Sequence, residues 1–207
     1  ASGCATVLAI ARAAAAARPR RSVLVLFTTA EEKGLLGARW FAQHPPVEAP
    51  RLAAVLNLDG VNIHGRTSDV GLLGLGKSSV DAVVAEAAAA QGRAVHGDAF
   101  PDRGTFYRSD HFELARVGVP AVYLRGGPHY LGRPEGWGTM RQKEYEAERY
   151  HQPSDEYPRS PDRWDLSGAV EDAQLQLVVG LRIANAPGMP LWNPGDEFEK
   201  ARLQAAR

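Results

Sequence analysis

Two adjacent carboxylates, Glu31 and Glu32, follow directly on the uncharged run Val23-Leu-Val-Leu-Phe27 and its exit Thr28-Thr29-Ala30. Neighbouring glutamates are most often a solvated surface pair. Here they close a run, Ser22 to Thr29, that reads as a strand buried on both faces, and in α/β sheets ligand sites gather outside the carboxyl ends of strands. Two carboxylates in that place can divide the work, one facing a metal and the other a water. Asp59 ends the next apolar run, Arg51 to Asp59, in the same way, although Asp59-Gly60 also suits a turn with a self-capping carboxylate. Tyr150-His151-Gln152-Pro153 lies far along the chain, where a single loop histidine is more often a surface residue than a ligand. Together Glu32, Asp59 and His151 offer two oxygens and one nitrogen, a donor set suited to zinc.

Two other strings invite chemistry that their surroundings disfavour. Gly71-Leu-Leu-Gly-Leu-Gly76-Lys77-Ser78 satisfies the phosphate-loop pattern letter for letter. That loop needs an apolar strand before its first glycine, so that backbone N–H groups and the next helix face the phosphates. The preceding Asn62 to Asp69 is polar and the apolar residues fall inside the would-be loop, so the strand belongs there and the turn at Gly76-Lys77. Ser109-Asp110-His111 has the composition of a hydrolase triad. Consecutive residues at a helix start point in different directions and cannot line up as nucleophile, base and orienter. They read as a cap and pocket wall, with Asp110 buried and hydrogen-bonded.

The elements that must carry these residues alternate. Helices are expected from Cys4 to Arg18, capped by Ser2 and stopped by Pro19, and from Leu35 to His44, ended by Pro45-Pro46. Asp69 to Leu75 reads as a strand, Ser78 to Gln91 as a helix with Asp81 in its first turn, Ser109 to Val117 as a short helix and Gly118 to Leu124 as a strand. Residues 125–160 read as a long loop with one helical turn near Glu144 to Glu148, a length that marks function or disorder. Asp165 to Ala184 is an amphipathic helix, and Trp192 and Phe198 are expected to fold back on the body. Strand and helix in alternation argue for an α/β sandwich in a single domain, residues 1–207.

Composition bounds the partners. The chain has 207 residues, 44% apolar and 23% charged, enough for a core. Its 24 Lys+Arg balance 24 Asp+Glu, leaving no global basic field for nucleic acid or an anionic membrane. The single Cys4 rules out an internal disulfide and a cysteine-built zinc finger, and reads as a helix-packing residue. No run approaches the roughly 18–20 apolar residues of a membrane span. The opening Ala1-Ser2-Gly3-Cys4 has neither an initiator methionine nor a signal core, so the sequence reads as a piece of a longer protein and its compartment stays open.

The ordered set of strings carries a family resemblance. Ala1-Ser-Gly with its Ala-rich helix, Glu31-Glu-Lys-Gly-Leu-Leu-Gly-Ala38, Asn57-Leu-Asp59, Tyr107-Arg-Ser-Asp-His111, Gly118-Val-Pro-Ala121 and Tyr150-His-Gln-Pro-Ser-Asp155 occur in sequence. Over nearly the whole chain this resembles the catalytic domain of di-zinc aminopeptidases of the secreted bacterial leucyl aminopeptidase type, with glutamate carboxypeptidases and glutaminyl cyclases as relatives. The resemblance implies a three-layer α/β/α sandwich with a mixed, mostly parallel sheet whose first strands precede residue 1. It implies that Glu31 is the general base, Glu32 a ligand of one zinc, Asp59 a ligand of the other, and His151 the residue completing the first shell. Tyr150 would give a hydrogen bond to the oxyanion of the tetrahedral intermediate. The substrate would be a peptide, and the compartment the periplasm or the outside of the cell.

The family's first histidine ligand and its bridging aspartate belong before Ser2-Gly3, and this sequence begins after them. His44, His64, His96 and His129 read as surface or packing residues and not as substitutes. The chain is therefore expected to hold at most one zinc, through Glu32, Asp59 and His151, where the whole protein would hold two. Side-chain preference would lie with Phe106 to Phe112 and the Tyr123 to Trp137 loop. Three other readings stay open: a single-zinc glutaminyl cyclase, a phosphate-loop nucleoside triphosphatase and a non-catalytic interaction domain.

Overall fold

The computed structural model describes residues 2–157 and 164–205. A four-stranded mixed sheet runs in the order β1-β4-β2-β3, from β1 (Val55–Asn57), β2 (Asp69–Leu73), β3 (Ala94–His96) and β4 (Ala121–Gly126). The β1–β4 and β2–β3 pairs are parallel and β2–β4 is antiparallel. Seven α-helices surround it: α1 (Ser2–Ala17), α2 (Leu36–Gln43), α3 (Val80–Ala90), α4 (His111–Arg116), α5 (Trp137–Glu148), α6 (Ser167–Asn185) and α7 (Glu199–Ala205).

The alternation of side chains along the strands divides the core into two layers. Val70, Leu72, Val122 and Leu124 face α3 and α6, where Val80, Val84, Leu175, Val179 and Ile183 are buried. Leu73, Ala121 and Tyr123 face the other way, onto Phe106, Ala115, Trp192 and Phe198. Helix on sheet on helix is the expected three-layer sandwich. The glycine-rich string opens within a strand and not a loop: β2 runs from Asp69 through Leu73, and all five of its residues are buried. Lys77 is already engaged, with its Nζ 2.8 Å from Glu197 and 3.3 Å from Asp196 and lying over the rings of Phe106, Tyr107 and Phe198. It pins the C-terminal segment and does not reach into an open phosphate-binding loop.

That segment is integral to the body, as Trp192 and Phe198 suggested. Trp192 Nε1 donates to the Gly118 carbonyl at 3.0 Å, and Arg202 donates to the Ala49 and Leu52 carbonyls at 3.2 and 3.0 Å. The sequence did not reveal α7 or β3, both too short for a periodic signal.

Four expectations need correction. Ser22 to Thr29 is not a buried strand: among the described residues no strand pairs with it, and Val23, Leu24, Val25 and Phe27 are 41–49% exposed. Only Leu26 tucks into the cluster of Phe41, Leu114 and Val119. A continuous apolar run signals a strand covered on both faces, and the described residues cover this one only at Leu26. Second, β1 is three half-buried residues and not nine. Third, the supposed long loop contains α5, twelve residues with little apolar periodicity because most of them are only half-buried. Residues 158–160 of that loop lie outside the described residues. Fourth, Cys4 is exposed on α1 and packs nothing. Among the described residues no helix is long and apolar enough to cross a membrane.

Candidate active site

Three arms bring the carboxylates and the histidine to the carboxyl end of β1. The first leaves the apolar run 22–29 through Ala30, whose φ of 55° is left-handed, into a tight 3-10 turn at Glu31–Lys33, and leaves again through left-handed Gly34 and Leu35 into α2. Two non-glycine residues in that region within six positions mark a backbone held by its surroundings. Part of the hold is close contact: Gly37 N donates to Thr29 O at 2.9 Å, and a Cβ on Gly37 would lie 2.5 Å from Thr29 N.

The second arm is the end of β1. Asn57 pairs with Tyr123 in register, so its side chain faces α4, and Asn57 Nδ2 donates to Ser109 Oγ at 2.8 Å. Two residues on, Asp59 is exposed, and its carbonyl is packed beneath the first turn of α1 at Gly3. The third arm follows α5. Tyr150 N donates to Tyr145 O, and His151, at φ 60°, stacks on the Tyr150 ring with centroids 3.8 Å apart.

The first and third arms touch. Glu32 Oε1 and His151 Nε2 stand 2.7 Å apart, a hydrogen bond when that nitrogen carries the proton, and both side chains are more than half exposed. Glu31 is more buried than Glu32. Burial raises its pKa above the usual carboxylate range, the charges of Glu32, Asp110 and Asp59 raise it further, and His151 opposes them. The Tyr150 phenol is likewise raised, first by burial and then by Glu32, Glu31 and Asp59, with Arg108 opposing, which keeps it a neutral donor. The five residues singled out from the sequence thus share one electrostatic neighbourhood.

The structure does not bring three donors to a single point. Among the described residues no group of three or more His, Cys, Asp or Glu side chains is gathered closely enough to hold a metal ion. Glu32 and His151 meet as a carboxylate–imidazole pair. Asp59, on a different arm, stands apart from them.

Ser109, Asp110 and His111 point three ways, as consecutive residues at a helix start must. Ser109 Oγ accepts from Asn57, and Asp110 Oδ2 accepts from Thr28 Oγ1 at 2.6 Å. Asp110 heads α4 without capping it. His111 is fully buried, its ring edge-on to Phe106 and Tyr123 at 4.7 and 5.8 Å, and neither nitrogen has a hydrogen-bond partner. Burial pushes its pKa down to about 3. An unfolded histidine takes its proton near 6.5, so the stability present above that pH is lost as pH falls from there toward about 3. His111→Phe is expected to be at least as stable at neutral pH and to lose less stability at pH 5. Urea midpoints at the two pH values check this, and an equal acid loss in both proteins would contradict it.

Other residues escaped the sequence reading. Tyr123 lies buried beside the site, its phenol pushed up to about 12 by burial and by Asp59 and Glu31, and only the β1–β4 register could have placed it there. His44 and His64 are packing residues, against Trp40 and against Tyr130 and Trp137. His96 and His129 both lie against one buried carboxylate: Asp69 Oδ2 is 3.0 Å from His96 Nε2 and 2.6 Å from His129 Nδ1. The bond to Asp69 raises the His129 pKa.

Known proteins can now be set beside this geometry. Among curated proteins none matches significantly. Among solved structures the chain is similar to an aminopeptidase from Aneurinibacillus sp. strain AM-1, with 20% identity and a TM-score of 0.60. The similarity covers 93% of this chain and 40% of the other, so the chain spans well under half the length of that enzyme. A profile of Peptidase family M28 matches residues 1–178, and with the sandwich, the strand-end carboxylates and the Glu32–His151 contact already in place, the chain belongs to that family.

Proposed function

We propose that the chain is the part of a zinc-dependent aminopeptidase that carries its general base, its oxyanion donor and part of its metal shells. The observation supporting this most directly is the 2.7 Å approach of Glu32 to His151, across 119 positions of sequence, with Glu31 next in the same turn. A carboxylate oxygen and an imidazole Nε2 meeting in the open are donors that fit zinc, and they would hold one ion between them with donors beyond this pair. Asp59 would serve the other ion. When bound, zinc lowers the pKa of water to about 7 and polarises the scissile carbonyl.

The chain's own residues would do the rest. Glu31 takes the proton of the attacking water and returns it to the leaving amine, a task for which a half-buried carboxylate of raised pKa is suited. Tyr150, neutral and reaching solvent, donates its phenolic O–H to the oxyanion. The substrate is a peptide with a free amino terminus, and on the family resemblance its compartment is the periplasm or the cell exterior.

Zinc titration against a chromophoric chelator tests the metal reading. The chain is expected to take up zinc, and His151→Ala and Glu32→Gln are each expected to weaken uptake by about tenfold or more, since each removes a donor. Identical uptake by both variants would remove the pair from the site. Hydrolysis of a free aminoacyl anilide but not its N-acetylated form would separate aminopeptidase from carboxypeptidase action.

A further inference from the structure

We propose that Asp110 is a positioning residue, which holds the Glu31–Glu32 arm in place by taking the hydroxyl of Thr28. The inference rests on the catalytic reading of those glutamates and concerns what fixes them. Among the described residues no strand pairs with the run 22–29 that delivers the arm, so sheet pairing with them does not set its height or direction. Arg21 anchors its start on the end of α6, and among the described residues its far end is held by Leu26 in its apolar cluster, Gly37 N on Thr29 O, and the 2.6 Å bond from Thr28 Oγ1 to Asp110 Oδ2. Among the described residues only the last of these three is a side-chain hydrogen bond, and it comes from the head of α4. Two residues after Thr28 the backbone enters the left-handed conformation at Ala30 that aims Glu31, so a slip at Thr28 is passed straight to the carboxylates.

The way Asp110 is used supports this role. An aspartate at the head of a helix ordinarily caps it, accepting N–H bonds from the first turn. Asp110 occupies that position in α4 and makes no such bond. Its second oxygen, Oδ1, is buried without a partner. A carboxylate kept in so costly a place, with its good bond directed at a neighbouring segment, serves that segment and not its own helix. Its neighbour Ser109 accepts from Asn57 on the other arm. The pair Ser109-Asp110 therefore ties the exit of the 22–29 run to the end of β1, one residue for each arm, and fixes the distance between the glutamates and Asp59.

Four single variants of the full chain decide the matter: Asp110→Ala, Asp110→Asn, Thr28→Val and Thr28→Ser. Without metal, amide hydrogen exchange over residues 29–37 is expected to quicken by about tenfold in Asp110→Ala and Thr28→Val. It should stay near the unmodified rate in Thr28→Ser and Asp110→Asn, which keep a donor and an acceptor. Zinc uptake should weaken by about tenfold or more in the first pair and recover in the second, the usual scale for losing support behind a metal ligand. The double variant Asp110→Ala with Thr28→Val should be no worse than either alone, because both remove the same bond. Exchange unchanged in Thr28→Val, no rescue by Thr28→Ser, or additive losses would each overturn the proposal. Should Asp110→Ala fail to fold, the Thr28 pair decides alone. Should the unmodified chain take up no zinc, the metal reading fails, while the exchange rates still judge Asp110.

Discussion

Glu31→Gln is expected to lower amide hydrolysis by about 10²–10⁴-fold, the usual worth of a positioned general base, while leaving zinc uptake intact. Four carboxylates crowd this end of the sheet, and their environments sort them. Glu32 is exposed and lies against His151. Asp59 is exposed on its own arm, and Asp110 is spent on Thr28. Glu31 alone combines partial burial with three negative neighbours, which raises its proton affinity toward the working range of a base. Glutamine keeps the shape of the side chain and the 3-10 turn but cannot take a proton. The same variant therefore separates the roles: activity and zinc stoichiometry, measured on an aminopeptidase-active preparation, should part company. Unchanged hydrolysis would remove Glu31 from the mechanism, and joint loss of zinc would make it a ligand.

Gly3→Ala should be the most damaging single methyl in the chain. A Cβ at Gly3 would sit 1.8 Å from the Asp59 carbonyl oxygen, 2.7 Å from its carbon and 3.1 Å from Leu58 Cδ2. Backbone cannot rotate out of the way as a side chain does. Either α1 lifts from its packing on α6 or the end of β1 moves, and the second displaces Asp59. Overpacking of this kind costs about 1–3 kcal/mol, and a collision with main chain belongs at the upper end or above. Chemical denaturation measures the loss. Gly60→Ala is the matched control, because nothing lies within 4 Å of that position, and its effect should stay within about 0.5 kcal/mol. Equal stability of both variants would mean that α1 is not seated on Asp59 as described.

Helix formers, capping residues and proline stops located most of the helices, and the polarity of residues 62–69 was enough to place a strand across the start of the glycine-rich string. Those are local signals, and the structure follows them to within a few residues. The 22–29 run shows where local signals stop. Its composition reports what the strand is adapted to, burial on both faces, and not whether a partner is present in the chain. α5 was hidden for the opposite reason: a helix lying half-buried over a site has little apolar stripe to show. The site was legible as residue types at strand ends, and Glu31, Glu32, Asp59, Tyr150 and His151 do lie within reach of one another's charges. The bond from Thr28 to Asp110 was not legible, because it joins positions 82 apart and depends on a side chain declining its local role as a cap. Nor was the pairing of two histidines with Asp69, which needs the strand order to be known.

The C-terminal segment carries a consequence for where this unit begins and ends as a physical object. The family match stops at residue 178, in the middle of α6. Yet Trp192 and Phe198 fill the layer beneath Phe106 and Tyr123, and Lys77 and Gly118 are both tied to residues beyond 190. A protein trimmed to the matched boundary would open the apolar floor on which Tyr123 and β1 rest. The stretch that is recognisable by descent is thus shorter than the stretch that must fold together.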